Sequence, residues 1–239
     1  MICIFLSSEE LSSEQVIIEG NQARHLSVLR VKTGEIITAF DGLGYKYDCK
    51  ILQINKKNFI AERLSKAPYS VESPISITLA QGIAKGEKMD FIIQKATELG
   101  VNKIIPLITG RSQVRHTVKI ERWRKIALSA AEQSCRGKAP DIDEPVSLKV
   151  FLEGRHMGII FYEEETGKHL KQTLKDFKDS QKITLLIGPE GGFSKEEVNA
   201  AIEKGFQSAS LGPRILRTET AAITAIGIIQ YELGDAGWF

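Results

Sequence analysis

Apolar positions recur along this chain with two different periods. From Val16 to Leu64 they alternate with polar ones in short runs, such as Glu35 to Phe40, Tyr45 to Ile54 and Phe59 to Leu64. Alternation of this kind is the signature of half-buried strands. Asp41-Gly42 and the stretch Asn55 to Asn58 supply turn residues between the runs. A small β-barrel is therefore predicted for the first part of the chain. Lys66 through Pro74 then carries two prolines and two serines with no apolar period, which places a domain boundary there, with one domain over residues 1–70 and a second over 71–239.

After Pro74 strands and helices alternate. Ile75 to Gln81 reads as a buried strand, and Glu87 to Leu99 as an amphipathic helix closed by Gly100, with Met89, Ile92, Ile93, Ala96 and Leu99 on one face. A strand at Lys103 to Ile108, a helix from about Lys119 to Arg136 and a strand at Met157 to Tyr162 follow. Ile183 to Ile187 is a strand, Lys195 to Lys204 a helix, Ser208 to Leu211 a short strand, and Thr218 to Glu232 a largely apolar helix. Such alternation predicts an α/β domain built on a mostly parallel sheet covered on both faces. No internal repeat or low-complexity tract complicates this picture.

Composition narrows the class. The chain has 239 residues, 42% hydrophobic and 26% charged, as expected of an ordinary globular protein with room for one large domain or two modest ones. Met1 to Leu6 is apolar but has no basic lead-in and stops at a Ser/Glu-rich run, so neither a signal peptide nor a membrane span is expected and the protein is expected to be cytoplasmic. Cys3, Cys49 and Cys135 form no CxxC pair, which points to reduced structural thiols and to no metal site. The net charge is only +2, yet residues 82–138 hold twelve Lys/Arg against five Asp/Glu. That excess could face phosphates, although a solvated helix face would explain the same charges.

The richest segment runs from Leu185 to Glu197, a buried strand entering a glycine turn that opens onto a helix. Ser194 and Glu197 have capping-box spacing, so the helix start is fixed without a ligand. Gly188, Gly191 and Gly192 permit positive φ and close backbone approach at the carboxyl end of the strand. Neither GxxxxGK[ST] nor GxGxxG is present. Glu190 in mid-turn would repel a pyrophosphate but could accept hydrogen bonds from an amine or hydroxyls, so a nucleoside-like ligand without phosphates is implied, for which S-adenosylmethionine fits. An ordinary strand-to-helix turn with no ligand stays open as the alternative. A second segment, Leu211 to Ala221, turns sharply at Gly212-Pro213, offers Thr218 as an N-cap, and crowds Arg214, Arg217 and Glu219 at the start of an apolar helix. Surface ion pairing is the plain alternative for those charges.

The strings Gly188-Pro-Glu-Gly-Gly192 and Leu211-Gly-Pro-Arg-Ile-Leu-Arg-Thr-Glu-Thr-Ala221, with Lys95-Ala-Thr-Glu-Leu-Gly-Val101 and Arg111-Ser112, resemble the ribosomal RNA small subunit methyltransferase E family. His25-Leu-Ser-Val-Leu-Arg30 is similar to that family's N-terminal barrel motif, so the resemblance spans essentially the whole chain. It implies a C-terminal SPOUT domain with a trefoil knot, an N-terminal PUA-like β-barrel and an obligate homodimer. It further implies S-adenosylmethionine held by Phe161, Tyr162 and Glu163, by Ile187, Gly188, Pro189, Glu190, Gly191 and Gly192, and by Leu211, Gly212, Ile215, Leu216, Thr220 and Ala221.

The implied reaction is methyl transfer to N3 of a specific uridine in 16S ribosomal RNA of the small subunit, without a metal and without a covalent cysteine adduct. On that basis Arg217 is expected to stabilise charge on the uracil as N3 loses its proton, with Glu219 positioning it or moving the proton. RNA contacts are expected from Arg24, His25 and Arg30 on the barrel and from Lys85, Lys88, Arg111, Arg115 and Arg136. Ribose 2′-O-methylation, and a non-catalytic RNA-binding assembly factor, are the two alternatives.

Overall fold

The computed structural model describes residues 1–113, 119–154, 157–167 and 169–237; Arg115 lies outside them. The chain forms two compact units, Met1–Glu72 with Leu128–Ala139, and Ser73–Ala127 with Pro140–Phe239. A division drawn along the chain misses the return of Leu128–Ala139 to the first unit.

The first unit contains β1 (Cys3–Phe5), β2 (Gln15–Ile18), α1 (Gly20–Val28), β3 (Ile36–Phe40), β4 (Tyr45–Ile54) and β5 (Phe59–Pro68). Its five strands lie in the order β1-β3-β4-β5-β2, with β1 parallel to β3 and the other neighbours antiparallel. The expected barrel is thus a five-stranded sheet that ends at β1 and β2, around a core of Ile4, Val16, Ile18, Ile37, Ile51, Phe59 and their neighbours. Helix α1 falls where only strands were predicted. It buries just Ala23 and Leu26, too few apolar positions to display a helical period. Its C-terminus is closed by Arg30 at φ 57, a left-handed conformation more usual for glycine.

Returning to this unit, Leu128–Ala139 places the buried carboxylate of Glu132 where it accepts from the Phe5 N–H at 3.1 Å and from Gln22 Nε2 at 2.7 Å. Arg136 is buried, with Nε donating to Glu72 Oε1 at 3.0 Å and a second guanidinium nitrogen to the other oxygen. Arg136 is therefore corrected from an RNA-facing residue to an internal ion-pair partner. A charge so enclosed is retained by its paired carboxylate.

The second unit contains β6 (Ser76–Gly82), α2 (Lys88–Glu98), β7 (Lys103–Ile108), the start of α3 (Ile120–Gln133), β8 (Asp141–Ile142), β9 (Val146–Ser147), α4 (Leu148–Phe151), β10 (Gly158–Phe161), α5 (Leu170–Thr173), β11 (Lys182–Ile187), α6 (Lys195–Glu203), β12 (Phe206–Ala209) and α7 (Thr218–Glu232). Its sheet runs β12-β10-β11-β6-β7-β8, with β9 also on β7, and all pairs are parallel. Side-chain alternation feeds two cores. Ile183, Leu185 and Ile187 of β11 join Met89, Ile92, Ala225 and Ile229 of α2 and α7, while Leu186 joins Val198 and Ala201 of α6 on the other face. That two-sided burial is why these strands read as continuous apolar runs. Among the described residues, no helix is long and apolar enough to cross a membrane.

Candidate active site

Strands β12, β10 and β11 are neighbours, so the loops after their carboxyl ends converge, as parallel α/β sheets favour for ligand sites. They wall a cavity of about 540 Å³, together with the start of α7. Every residue expected to hold the cofactor lines it except Gly191 and Thr220. Lys88, Ser210, Arg214, Arg217 and Thr218 line it as well.

The glycine turn is braced from several sides. At its far end the capping box forms as expected, with the Ser194 N–H donating to Glu197 at 2.9 Å and the Glu197 N–H to Ser194 Oγ at 3.3 Å. The other Glu197 oxygen accepts from the Gly110 N–H at 2.7 Å. Arg111 Nη1 donates to the Gly191 carbonyl at 3.0 Å, which explains why Gly191 belongs to the brace and not to the wall. Gly192 has φ 66, a left-handed conformation that favours glycine, and a Cβ there would lie 2.5 Å from a Glu163 carboxylate oxygen, so a side chain at this position would displace the tip of Glu163.

Glu190 accepts from the Lys85 N–H at 3.0 Å and from Lys88 Nζ at 3.1 Å. Burial alone would raise its carboxyl, but these donors outweigh burial and hold it below the usual carboxylate range, so the turn is anionic at neutral pH. Tyr162 behaves differently. Its hydroxyl donates to Glu164 at 2.7 Å, which pushes the phenol up to about 12 and keeps it protonated.

At the second loop, Arg217 is the N-cap of α7, for its carbonyl accepts the Ala221 N–H at 2.8 Å. Thr218, expected as the cap, is the first helical residue. Its hydroxyl donates to the Gly188 carbonyl at 2.6 Å and so caps nothing. Arg214 and Arg217 are exposed on the cavity wall, and neither is ion-paired among the described residues, so surface pairing does not explain them. Glu219 does not pair with Arg217. It stands off the wall with Oε2 buried and without a hydrogen-bond partner among the described residues.

Arg24 and Arg30 are exposed on and after α1, and His25 is half-buried there. Lys85, Lys88 and Arg111 gather around the glycine turn, where the Lys88 and Arg111 side chains are already engaged. None of the three cysteines lines the cavity. Burial and a hydrogen bond to Cys135 push the Cys3 thiol up to about 12, and burial pushes Cys49 up to about 11, so neither is a thiolate nucleophile at neutral pH. Among the described residues no group of three or more His, Cys, Asp or Glu could hold a metal ion.

Two neighbours of the site were missed at the end of β6. Gln81 bonds to the glycine turn and to the first residue of α7, and a Cβ on Gly82 would lie 2.5 Å from Pro189. A glycine closing a buried strand is the only local sign of this close approach.

Residues 71–230 match the family described as RNA methyltransferase domain, and residues 18–62 the RNA methyltransferase PUA domain. Ribosomal RNA small subunit methyltransferase E of Buchnera aphidicola subsp. Acyrthosiphon pisum is 37% identical over 95% of this chain and 92% of its own. The protein of that name from Bacillus subtilis is 31% identical over 93% and 94%. The crystal structure of the Neisseria gonorrhoeae protein of the same name, bound to S-adenosyl methionine, superposes with a TM-score of 0.90 at 36% identity over 99% of both chains. With its two units, its braced glycine turn and these near-full-length relatives, the chain belongs to the ribosomal RNA small subunit methyltransferase E family.

Proposed function

We propose that this protein is an S-adenosylmethionine-dependent methyltransferase that acts on N3 of a specific uridine in 16S ribosomal RNA of the small subunit, as a cytoplasmic homodimer. The observation that carries this is Arg217, without an ion-pair partner among the described residues, on the wall of a cavity whose glycine turn presents the ionised Glu190 carboxylate.

The cavity suits the cofactor. Its volume is in the ordinary range for small-molecule sites, and Ile187, Leu211, Leu216 and Ala221 offer apolar surface to a nucleoside. Glu163 and Glu190 can accept from an amine and hydroxyls. When bound, the cofactor supplies an already activated sulfonium methyl. The protein's share is alignment and charge. Loss of the N3 proton leaves negative charge on the uracil imide, and the Arg217 guanidinium on the cavity wall is the donor assigned to it in this reading. Tyr162, protonated up to about 12 with its hydroxyl hydrogen given to Glu164, does not serve as a base. Glu219, with an oxygen lacking a partner among the described residues, is the candidate for holding Arg217's orientation on substrate binding or for moving the proton.

The outer face of α7 supports the homodimer. Ile223, Gly227 and Ile228 are only partly covered and Tyr231 is 64% exposed, while nothing lies within 4 Å of a Cβ built on Gly227. Small and apolar residues in such a row suit close approach of a second helix. The trefoil threading belongs to the same proposal, with β11 seated between β10 and the much earlier β6.

Incubation with labelled S-adenosylmethionine and under-methylated small subunits or their stripped RNA, followed by nucleoside analysis, is expected to yield 3-methyluridine. Label on a ribose would overturn the base assignment, and no label on either RNA would overturn the activity. RNA binding should weaken with salt, with a log-log slope of roughly 0.7 to 0.9 per phosphate contacted. Arg24→Ala and Arg30→Ala should each lower that slope by about one if those exposed side chains meet phosphates. An affinity indifferent to salt would sink the electrostatic account.

A further inference from the structure

Gln81 is fully buried at the carboxyl end of β6, and its amide orientation is dictated by its surroundings. Three oxygens surround Nε2: the Gly82 carbonyl at 2.9 Å, Thr218 Oγ1 at 3.0 Å and the Gly188 carbonyl at 3.3 Å. The Thr218 hydroxyl hydrogen is directed to Gly188 at 2.6 Å, so Thr218 Oγ1 can only accept from Gln81. Turning the amide over would set an oxygen against three oxygens. The orientation adopted leaves Oε1 buried with no partner among the described residues. A buried unpaired acceptor is destabilising, so the fold carries the Gln81 amide at a cost. Departures of this kind from local stability rules are expected at functional sites.

The three residues belong to three different segments that only the fold brings together. Gly188 begins the cofactor turn, Thr218 is the first helical residue of α7 directly after Arg217, and Gln81 is the penultimate residue of β6, the strand paired with β11. We propose that Gln81 and Thr218 are positioning residues that lock the cofactor turn to the start of α7, so that Arg217 is held at a set distance from the bound methyl donor. This rests on the methyltransferase function proposed above. Neither residue is a catalytic group: Gln81 acts only through Gly188 and Thr218.

The chemistry sets clear expectations, because an error of about 1 Å in the alignment of reacting groups is enough to slow a reaction strongly. Gln81→Met and Thr218→Val keep size and remove the hydrogen bonds. Each should lower kcat at saturating cofactor by roughly tenfold, with the affinity for S-adenosylmethionine changed far less. Thr218→Ser, which restores the hydroxyl, should restore kcat. The double variant should fall little further than either single one, because both remove the same link.

Hydrogen exchange on the full chain supplies a readout that needs no turnover. In the wild type, adding S-adenosylmethionine should slow exchange both in the turn around Gly188 to Gly192 and in the first turn of α7 after Arg217. In Gln81→Met and Thr218→Val the cofactor should protect the turn alone. If both variants kept wild-type kcat and still protected α7, or if cofactor affinity and kcat fell together while melting temperature dropped, the link would be merely structural and the proposal wrong. Should the wild type transfer no methyl to small-subunit RNA, the proposed function fails, and the exchange pattern decides the link by itself.

Discussion

Arg217→Ala should reduce methyl transfer by about 10²- to 10³-fold at saturating cofactor, the range seen when one donor to a developing anion is removed. The side chain is exposed on the cavity wall and free of ion pairs among the described residues, so its loss strands no buried partner. Its backbone, with φ −65 and ψ 152, caps α7 through the carbonyl and is within alanine's reach. A cation at a helix N-terminus also opposes the helix dipole, by about 0.3 to 1 kcal/mol at exposed sites. Removing it should therefore leave the melting temperature unchanged or slightly raised. An arginine that does not serve the helix and faces a cavity is best explained by what the cavity holds. Single-turnover rates, cofactor affinity by calorimetry and a thermal melt on the same sample separate the possibilities. Equal losses in rate and cofactor affinity would show that Arg217 binds the cofactor and does not act on the uracil.

Gly82→Ala should weaken S-adenosylmethionine binding by roughly 10- to 100-fold, corresponding to about 1 to 3 kcal/mol of overpacking. The added Cβ would lie 2.5 Å from both the nitrogen and Cδ of Pro189 and 2.9 Å from the Gly188 carbonyl carbon. Backbone and a proline ring cannot swing aside as the end of a long side chain does, so the turn itself must shift. Gly192 makes the useful contrast. There the clash is with the tip of Glu163, which can rotate away, although φ 66 still disfavours a side chain. Calorimetric titration of Gly82→Ala with cofactor checks the prediction; an unchanged affinity would mean that the turn tolerates displacement and that the end of β6 is not its seat.

Much of this protein was determined by sequence alone. Strands β4 and β7 and helix α7 occupy the residues their patterns predicted, and the Ser194–Glu197 capping box formed as spaced. Those features depend on side chains within about one or two turns of each other, where periodicity and capping act. The nature of the glycine turn was legible for the same reason, since glycine and a mid-turn carboxylate declare their chemistry locally. Helix α1 and the two-residue strands β8 and β9 were not, being too short or too sparsely apolar to display a period.

Tertiary structure decided the rest. Arg136 and Glu72 are 64 residues apart, and only their meeting turns a plausible RNA contact into an internal pair. Thr218 has the residue type of an N-cap, yet a carbonyl 30 positions away claims its hydroxyl. Gln81 looked like the last residue of an apolar strand until Gly188 and Thr218, 107 and 137 positions distant, arrived around its amide. Local sequence sets which hydrogen bonds a residue can make. The order of strands in the sheet sets which partners reach it first, and for a buried polar group every such partner must be found within the fold.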